Sequence, residues 1–310
     1  MKVIFVASGN KAVGSVSAFV QSQFDSLKEE GLEMVLFPVV GHGAKSYLKS
    51  AWKLRKLVKK ERPDIVHAHY SICGYVATMA TLFLKPKTVV SILGSFPKKN
   101  RKLRIVIFFA KHVWDRTIVK SQRTANQMGM NLPVIPNGVN LDQFVLIEQN
   151  EARELVGFDD GRKYVVWCSN PERTEKRFGL AQKAVALLKD ESVVLFPVFN
   201  RTHDEVVKFM CAADVQLMTS VMEGSPNVIK EAMACDCPIV TTDVGDVRWV
   251  TDGVEGTFVA NDDKPETIAR LIKQALVFNA RTKGRERIES VGLSTKDIAK
   301  KIIGVYKTIV

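Results

Sequence analysis

Short apolar runs alternate with amphipathic helical stretches along most of the 310-residue chain, and this alternation restricts the fold more than any other feature. Apolar runs bounded by turns suit strands buried on both faces, and strands separated by helices pair in parallel through crossover connections. In the first half the pattern predicts strands at Val3–Ala7, Met34–Val39, Ile65–His69, Thr88–Ile92, Arg116–Lys120 and Pro133–Ile135. Helices are expected near Ser15–Glu30, Lys45–Glu61, Gly74–Thr81 and Leu103–Val113. A second round starts at Lys163, with strands at Tyr164–Cys168, Val193–Pro197, Val215–Met218, Ile239–Thr242 and Gly256–Val259. Its helices fall near Phe178–Lys189, His203–Ala212 and Pro226–Met233. The Asn-Gly turn in Ile135-Pro-Asn-Gly-Val139 separates the two rounds, and the polar stretch Glu148–Arg153 leads into the second. Ile298, Ile302, Val305, Tyr306 and Ile309 stand at helical spacing near the end, so one face of a last helix is to be buried. The absence of a fixed 20–50 residue period excludes a solenoid. The expected architecture is α/β: two tandem Rossmann-like, doubly wound lobes at 1–142 and 143–293, and a helix at 294–310 packed back on the first. Ligands of such folds lie beyond the carboxyl ends of the strands, here in a cleft between the lobes.

The richest local signal is Glu223-Gly-Ser-Pro-Asn-Val-Ile-Lys-Glu231, which precedes a strand and a glycine loop at Gly245. Ser225 suits an N-cap and Pro226 the first helical position, where a missing N–H costs nothing. The amides of Asn227 and Val228, aided by the helix dipole, then favour an anion such as phosphate. Glu223 before the helix and Glu231 within it are acceptor-only carboxylates suited to hydroxyl groups of a sugar or ribose. Taken alone, the segment reads equally as a well-capped helix with two solvated glutamates. Val13-Gly14-Ser15, after the first strand, occupies the usual place of a phosphate loop without matching G-x-G-x-x-G.

Charge divides the chain. Residues 1–145 hold 22 Lys and Arg against 8 Asp and Glu, whereas residues 146–310 hold 23 against 25. The densest basic run, Lys98, Lys99, Arg101, Lys102 and Arg104, leads into the apolar Ile105–Ala110. Such a cluster suits an anionic membrane surface or anionic acceptor, or is a solvated face, and no nucleic-acid motif accompanies it. That apolar run is too short to span a bilayer, and the strand pattern begins at Met1 without a signal-peptide layout. The expectation is a cytoplasmic protein, with peripheral attachment to the inner membrane face. Cys73, Cys168, Cys211, Cys235 and Cys237 show neither zinc nor C-x-x-C redox spacing and read as reduced thiols. No metal site is expected.

With these segments in order, the chain resembles the family 4 retaining glycosyltransferases of GT-B fold, also described as glycosyl transferases group 1. The resemblance rests on the E-x7-E pair Glu223/Glu231, Pro136-Asn-Gly-Val139 and Pro63-Asp-Ile-Val-His-Ala-His-Tyr70. It extends to Ile118-Val-Lys-Ser121, Ala212-Ala-Asp-Val-Gln-Leu-Met-Thr-Ser220 and Thr242-Asp-Val-Gly-Asp-Val-Arg248, and so spans nearly the whole chain. It implies transfer of a sugar from a nucleotide-diphosphate donor to a saccharide or lipid-linked acceptor, in cell-surface polysaccharide synthesis. No cofactor is implied beyond the nucleotide sugar as co-substrate.

The resemblance also assigns roles. Glu231 is to bind the donor ribose and Glu223 to face the donor sugar. The backbone around Gly224, Ser225, Pro226, Asn227 and Val228 is to contact sugar and diphosphate, with Gly14 and Ser15 approaching from the first lobe. Lys176 fits the slot of the diphosphate lysine. Where the family has Gly-Arg, this chain has Asn170-Pro171, and Arg173 is the expected substitute. The family's His-Gly-Ser-Asp loop is Leu93-Gly94-Ser95-Phe96 here, so that loop's sugar contacts reduce to Gly94 and Ser95, with His69 a further acceptor-side candidate. Two alternatives share the fold: a nucleotide-sugar epimerase, and a non-catalytic nucleotide-sugar-binding subunit.

Overall fold

The computed structural model describes residues 1–10, 14–94, 96, 101–159 and 161–310. The chain forms two compact units, Met1–Gly138 with Thr295–Val310, and Val139–Ser294.

The first unit runs β1 (Lys2–Ser8), α1 (Ala18–Glu29), β2 (Glu33–Val39), α2 (Ala44–Glu61), β3 (Ile65–His69), α3 (Ser71–Thr81), β4 (Lys87–Ile92), α4 (Arg101–His112), β5 (Arg116–Val119) and α5 (Gln122–Met128). Its five parallel strands lie in the order β2-β1-β3-β4-β5. Helices cover both faces of such a sheet, so its central strands are buried throughout rather than alternating. Val3 to Ala7 in β1 and Ile65 to His69 in β3 are all buried. The second unit runs α6 (Gln149–Val156), β6 (Lys163–Cys168), a single 3₁₀ turn at Thr174–Lys176, α7 (Phe178–Ala186), β7 (Val193–Val198), α8 (His203–Ala212), β8 (Val215–Met218), α9 (Asn227–Ala234), β9 (Ile239–Thr242), α10 (Val247–Val250), β10 (Thr257–Ala260), α11 (Pro265–Phe278) and α12 (Gly284–Ser290). Its strand order is β10-β9-β8-β6-β7, again all parallel.

The last helix, α13 (Thr295–Lys307), belongs to the first unit, where it packs against α1. Its buried face is Ile298, Ala299, Ile302 and Tyr306. The Tyr306 hydroxyl lies 2.5 Å from His67 Nδ1, and His67 Nε2 lies 2.8 Å from Ser91 Oγ. A buried polar chain thus ties the end of the sequence to β3 and β4.

Two expected elements differ. Pro133–Ile135 makes only an isolated parallel bridge, Val119 with Val134, rather than a strand. Pro133 has no N–H to donate, so pairing ends after Val119 N–H donates to its carbonyl and Ile135 N–H to that of Val119, at 3.0 and 2.9 Å. Glu148 caps α6, accepting from the amides of Asn150 and Glu151, where the sequence suggested only a polar linker.

Candidate active site

The Glu223–Glu231 segment links β8 to α9 at the carboxyl end of the second sheet. Its helix begins at Asn227, with Pro226 in the N-cap position, one residue later than the sequence predicts. Ser225 does not cap it. Its hydroxyl is engaged elsewhere: it donates to Asp246 Oδ2 at 2.6 Å and accepts from Lys230 Nζ at 2.5 Å. A serine hydroxyl oriented by a buried cation and a buried carboxylate is not turned to accept from the helix amides.

Lys176 and Glu223 are brought together. The ammonium group of Lys176 bonds directly to Glu223 Oε1, and both side chains are largely shielded from solvent. The 3₁₀ turn that ends in Lys176 is fixed by neighbours that linear spacing does not reveal. Thr219 Oγ1 donates to the carbonyls of Lys176 and Arg177 at 2.8 and 3.1 Å, and itself accepts from Trp167 Nε1 at 3.0 Å. Arg177 donates to the carbonyls of Thr219 and Ser220 at 2.7 and 3.1 Å and forks onto Asp263 at 2.8 and 3.1 Å. Arg177 also takes a left-handed conformation, φ +54°, which turns the chain from the loop into α7. Two short loops, after β6 and after β8, are thereby locked to each other.

A third loop, after β9, closes under them. A side chain at Gly245, φ +60°, would collide with the backbone of Gly224, which is why this position is glycine. Thr242 Oγ1 donates to the Ser220 carbonyl at 2.7 Å. At the far end of α9, Arg281 and Arg285 donate to the carbonyls of Cys235 and Ala234 at 2.7 and 3.1 Å, satisfying acceptors that the helix leaves open.

The electrostatics of this floor are unusual. Glu231 is half-buried, and burial pushes its carboxyl up to about 7 despite the opposing pull of Lys230. Burial likewise raises Asp246 and lowers Lys230. The Cys168 thiol, at the end of β6, is raised by burial and by the nearby Glu231, so it is no nucleophile. Arg173 stands apart: it is exposed and bonded to Glu175, with Nε at 2.8 Å from the carboxylate.

In the first unit, Gly14, His69 and Gly94 lie at or just past the carboxyl ends of β1, β3 and β4. Gly14 takes φ +86°, and its N–H donates to the Gly9 carbonyl at 3.0 Å; Gly14, Ser15 and Gly94 are exposed. His69 is fully buried, its ring 4.2 Å from that of Phe5 and 4.6 Å from that of His67. Neither of its ring nitrogens has a hydrogen-bond partner among the described residues, and burial keeps the ring neutral. Tyr70 follows in a strained conformation, φ +72° and ψ 148°, a feature the sequence did not signal. It borders a cavity of about 290 Å³ lined by Ser8, Asn10, His42, Tyr47, Tyr70 and Ile72, among others. Arg101, Lys102 and Arg104 are exposed at the start of α4, while Ser95, Lys98 and Lys99 lie outside the described residues.

Two family models match the chain, one on each unit: Glycosyltransferase Family 4 over residues 15–143 and Glycosyl transferases group 1 over residues 162–277. The chain belongs to the family 4, group 1 glycosyltransferases. An uncharacterized glycosyltransferase of Methanocaldococcus jannaschii is 27% identical over 92% of this chain and 87% of its own length. A UDP-Gal:alpha-D-GlcNAc-diphosphoundecaprenol alpha-1,3-galactosyltransferase of Escherichia coli is 24% identical, over 73% of this chain and 70% of its own. Among solved structures, HepE of Anabaena in complex with UDP-glucose superposes with a TM-score of 0.77 at 17% identity, covering 99% of this chain and 100% of that one. The fold of this glycosyltransferase is therefore GT-B: two Rossmann-like lobes, each built on a five-stranded parallel sheet.

Proposed function

We propose that this glycosyltransferase is a retaining enzyme that moves a sugar from a nucleotide-diphosphate donor, held on its second unit, to a saccharide or lipid-linked acceptor. The observation that carries the reading is the paired Lys176 and Glu223 beside the start of α9, with Glu231 on the same helix. Glu231 accepts from the ribose hydroxyls and Glu223 faces the donor sugar. Gly224 to Val228 and the helix start meet sugar and diphosphate, and Lys176 neutralises the phosphates, with Arg173 as second cation.

When the bond between the anomeric carbon and the phosphate oxygen breaks, negative charge builds on the leaving diphosphate. Lys176 and the helix dipole are already aimed at it, so they reorganise little and lower the barrier. The acceptor oxygen attacks from the face the diphosphate leaves, and its proton passes to a leaving phosphate oxygen. Configuration is retained without a protein nucleophile, and no metal or other cofactor is required in this reading. The acceptor lies at the carboxyl end of the first sheet, near Gly94 and the cavity beside Tyr70, while Gly14 and Ser15 approach the donor diphosphate.

An anionic membrane surface is the partner proposed for the basic unit. Helix α4 exposes Arg101, Lys102, Arg104 and Lys111 together with Ile105 and Phe108, which are 52% and 56% exposed. That mixture of cations and apolar side chains suits a helix lying in a headgroup layer. No helix among the described residues is long and apolar enough to cross a membrane.

A thermal-shift panel of UDP-, GDP-, ADP- and TDP-glucose tests the donor reading, because a ligand bound by the folded state raises the unfolding temperature by mass action. At least one is expected to stabilise the wild type and to do so far less in Glu231→Ala. No shift with any of them, or an unchanged shift in Glu231→Ala, contradicts the reading. A nucleotide sugar epimerised in the absence of any acceptor would replace transfer by epimerisation.

A further inference from the structure

The donor reading leaves a linked pair of buried charges in the second unit unused. Lys230 is 1% exposed and Asp246 8%, and they are joined through the Ser225 hydroxyl, itself 5% exposed. The direction of the chain is fixed by proton count. An ammonium can only donate and a carboxylate can only accept, so Lys230 donates to Ser225 and Ser225 to Asp246. The link joins three segments: α9, the loop before it, and the loop after β9. Burying an ammonium is costly unless it is paired and hydrogen-bonded, and here Ser225 supplies a hydrogen bond and Asp246 the counter-charge. Apolar residues of similar shape in place of both Lys230 and Asp246 would fill the same space at less cost. The Lys230 charge therefore invites a role beyond packing.

The position of that charge indicates the role. Three carboxylates draw on the Lys230 ammonium: Asp246, Glu231 and Glu223. The last two are the pair assigned to the donor. Glu223 is also bonded to Lys176, and Glu231 is faced by Lys230 on its own helix and by the Cys168 thiol from the end of β6. The other side-chain oxygen of Asp246, Oδ1, has no hydrogen-bond partner among the described residues, while Oδ2 accepts from Ser225.

We propose that Lys230 is a positioning residue of the transferase: anchored to Asp246 through the Ser225 hydroxyl, it holds the Glu223–Ser225 loop against α9 and keeps a positive charge next to Glu231 in the donor site. The proposal rests on the donor reading for what those carboxylates do. Lys230 itself touches no substrate. It acts by favouring the ionised form of Glu231, the form that can accept from two ribose hydroxyls at once.

A purely structural link and a charge-setting one respond differently to substitution. Lys230→Met removes a positive charge near Glu231, so the carboxyl should titrate at higher pH. Asp246→Asn keeps the Ser225 contact but removes a negative charge, so it should titrate at lower pH. Both variants disturb the same link, yet they should shift the titration in opposite directions, by about one pH unit each. The readout is the ¹³C resonance of the Glu231 side-chain carboxyl in the ligand-free protein, followed from pH 5 to 9. In parallel, calorimetry measures the affinity of whichever nucleoside-diphosphate glucose of the panel binds the wild type, as a function of pH. The double variant Lys230→Met/Asp246→Asn carries neither buried charge and should unfold near the wild-type temperature even where Lys230→Met alone is poorly folded. It should restore the wild-type midpoint.

Opposite shifts in the two single variants, with the midpoint restored in the double, support the proposal. Unmoved midpoints, or shifts in the same direction, overturn it. Because the resonance is read without ligand, a protein whose Glu231 shifts as expected but which binds no nucleotide sugar would refute the donor reading and leave the role of Lys230 standing.

Discussion

Gly245 sits against Gly224 so tightly that a Cβ on Gly245 would lie 2.6 Å from the Gly224 carbonyl oxygen. Backbone rather than side chain is the obstacle, so the collision cannot be relieved by a rotamer change. Gly245→Ala should therefore push the Glu223–Gly224 loop outward. With φ +60° disfavouring any side chain as well, we expect a stability loss of about 1–3 kcal/mol. Donor KM should rise because Glu223 moves with its loop. Unfolding temperature and steady-state kinetics check this, and an unperturbed KM would show that the loop does not bear on the donor.

Donor affinity should depend on pH through Glu231. Its carboxyl, held up to about 7 by burial, is partly protonated at neutral pH, while ribose binding favours the carboxylate. Affinity should rise as pH increases through 7 and level off above it, and binding near neutrality should release a proton. For the ligand-free protein the sign is reversed. A carboxyl with a raised folded-state pKa favours folding at low pH, and that contribution is lost as pH rises from the unfolded value through about 7. Calorimetry in buffers of different ionisation enthalpy measures the proton released, and uptake instead of release would contradict the assignment.

Lys176→Met should retain the fold, because Thr219 and Arg177 hold its turn through backbone carbonyls. Turnover should fall by about 10² to 10³, as for loss of one charge-stabilising donor at a leaving group. Glu223 loses its partner in this variant, so the double variant Lys176→Met/Glu223→Gln separates leaving-group stabilisation from an unpaired carboxylate. Recovery of turnover in the double would place the defect in the carboxylate.

Tyr306→Phe probes the anchor of α13. It leaves His67 Nδ1 without its partner inside the first unit, at a cost of about 1–3 kcal/mol. Denaturant midpoints measure it. A neutral result would mean that apolar packing of Ile298, Ala299 and Ile302 holds the helix unaided.

Replacing Arg101, Lys102 and Arg104 by serine should weaken binding to liposomes rich in anionic lipid and leave nucleotide-sugar affinity unchanged. Equal liposome binding would remove the membrane partner from the account.

Much of this was legible in the sequence. The strands Ile65–His69, Val215–Met218 and Ile239–Thr242 and the helix His203–Ala212 were located to the residue, because buried parallel strands leave uninterrupted apolar runs between turn residues. The long helix Pro265–Phe278 is absent from the expected elements, although Ile268, Leu271, Ile272 and Ala275 stand at helical spacing. Short helices such as Gln122–Met128 offer too few turns for a period to emerge. At the site, Glu223 and Glu231 were visible as carboxylates around a helix start, and Lys176 through the family resemblance alone. What linear spacing could not convey was the competition for Ser225. Its preference for a cap was outweighed by Lys230, five residues on, and by Asp246, twenty-one residues on, which only the return of the chain through β9 brings near. Arg177 was hidden for a similar reason, since its carbonyl acceptors and Asp263 lie 42 to 86 residues away.

The most direct test is a crystal structure of the protein grown with a nucleoside-diphosphate sugar that it binds. The account predicts a diphosphate at the start of α9 beside Lys176, with the ribose hydroxyls on Glu231 and the sugar facing Glu223. A nucleotide bound elsewhere, with residues 223 to 231 unengaged, would contradict it.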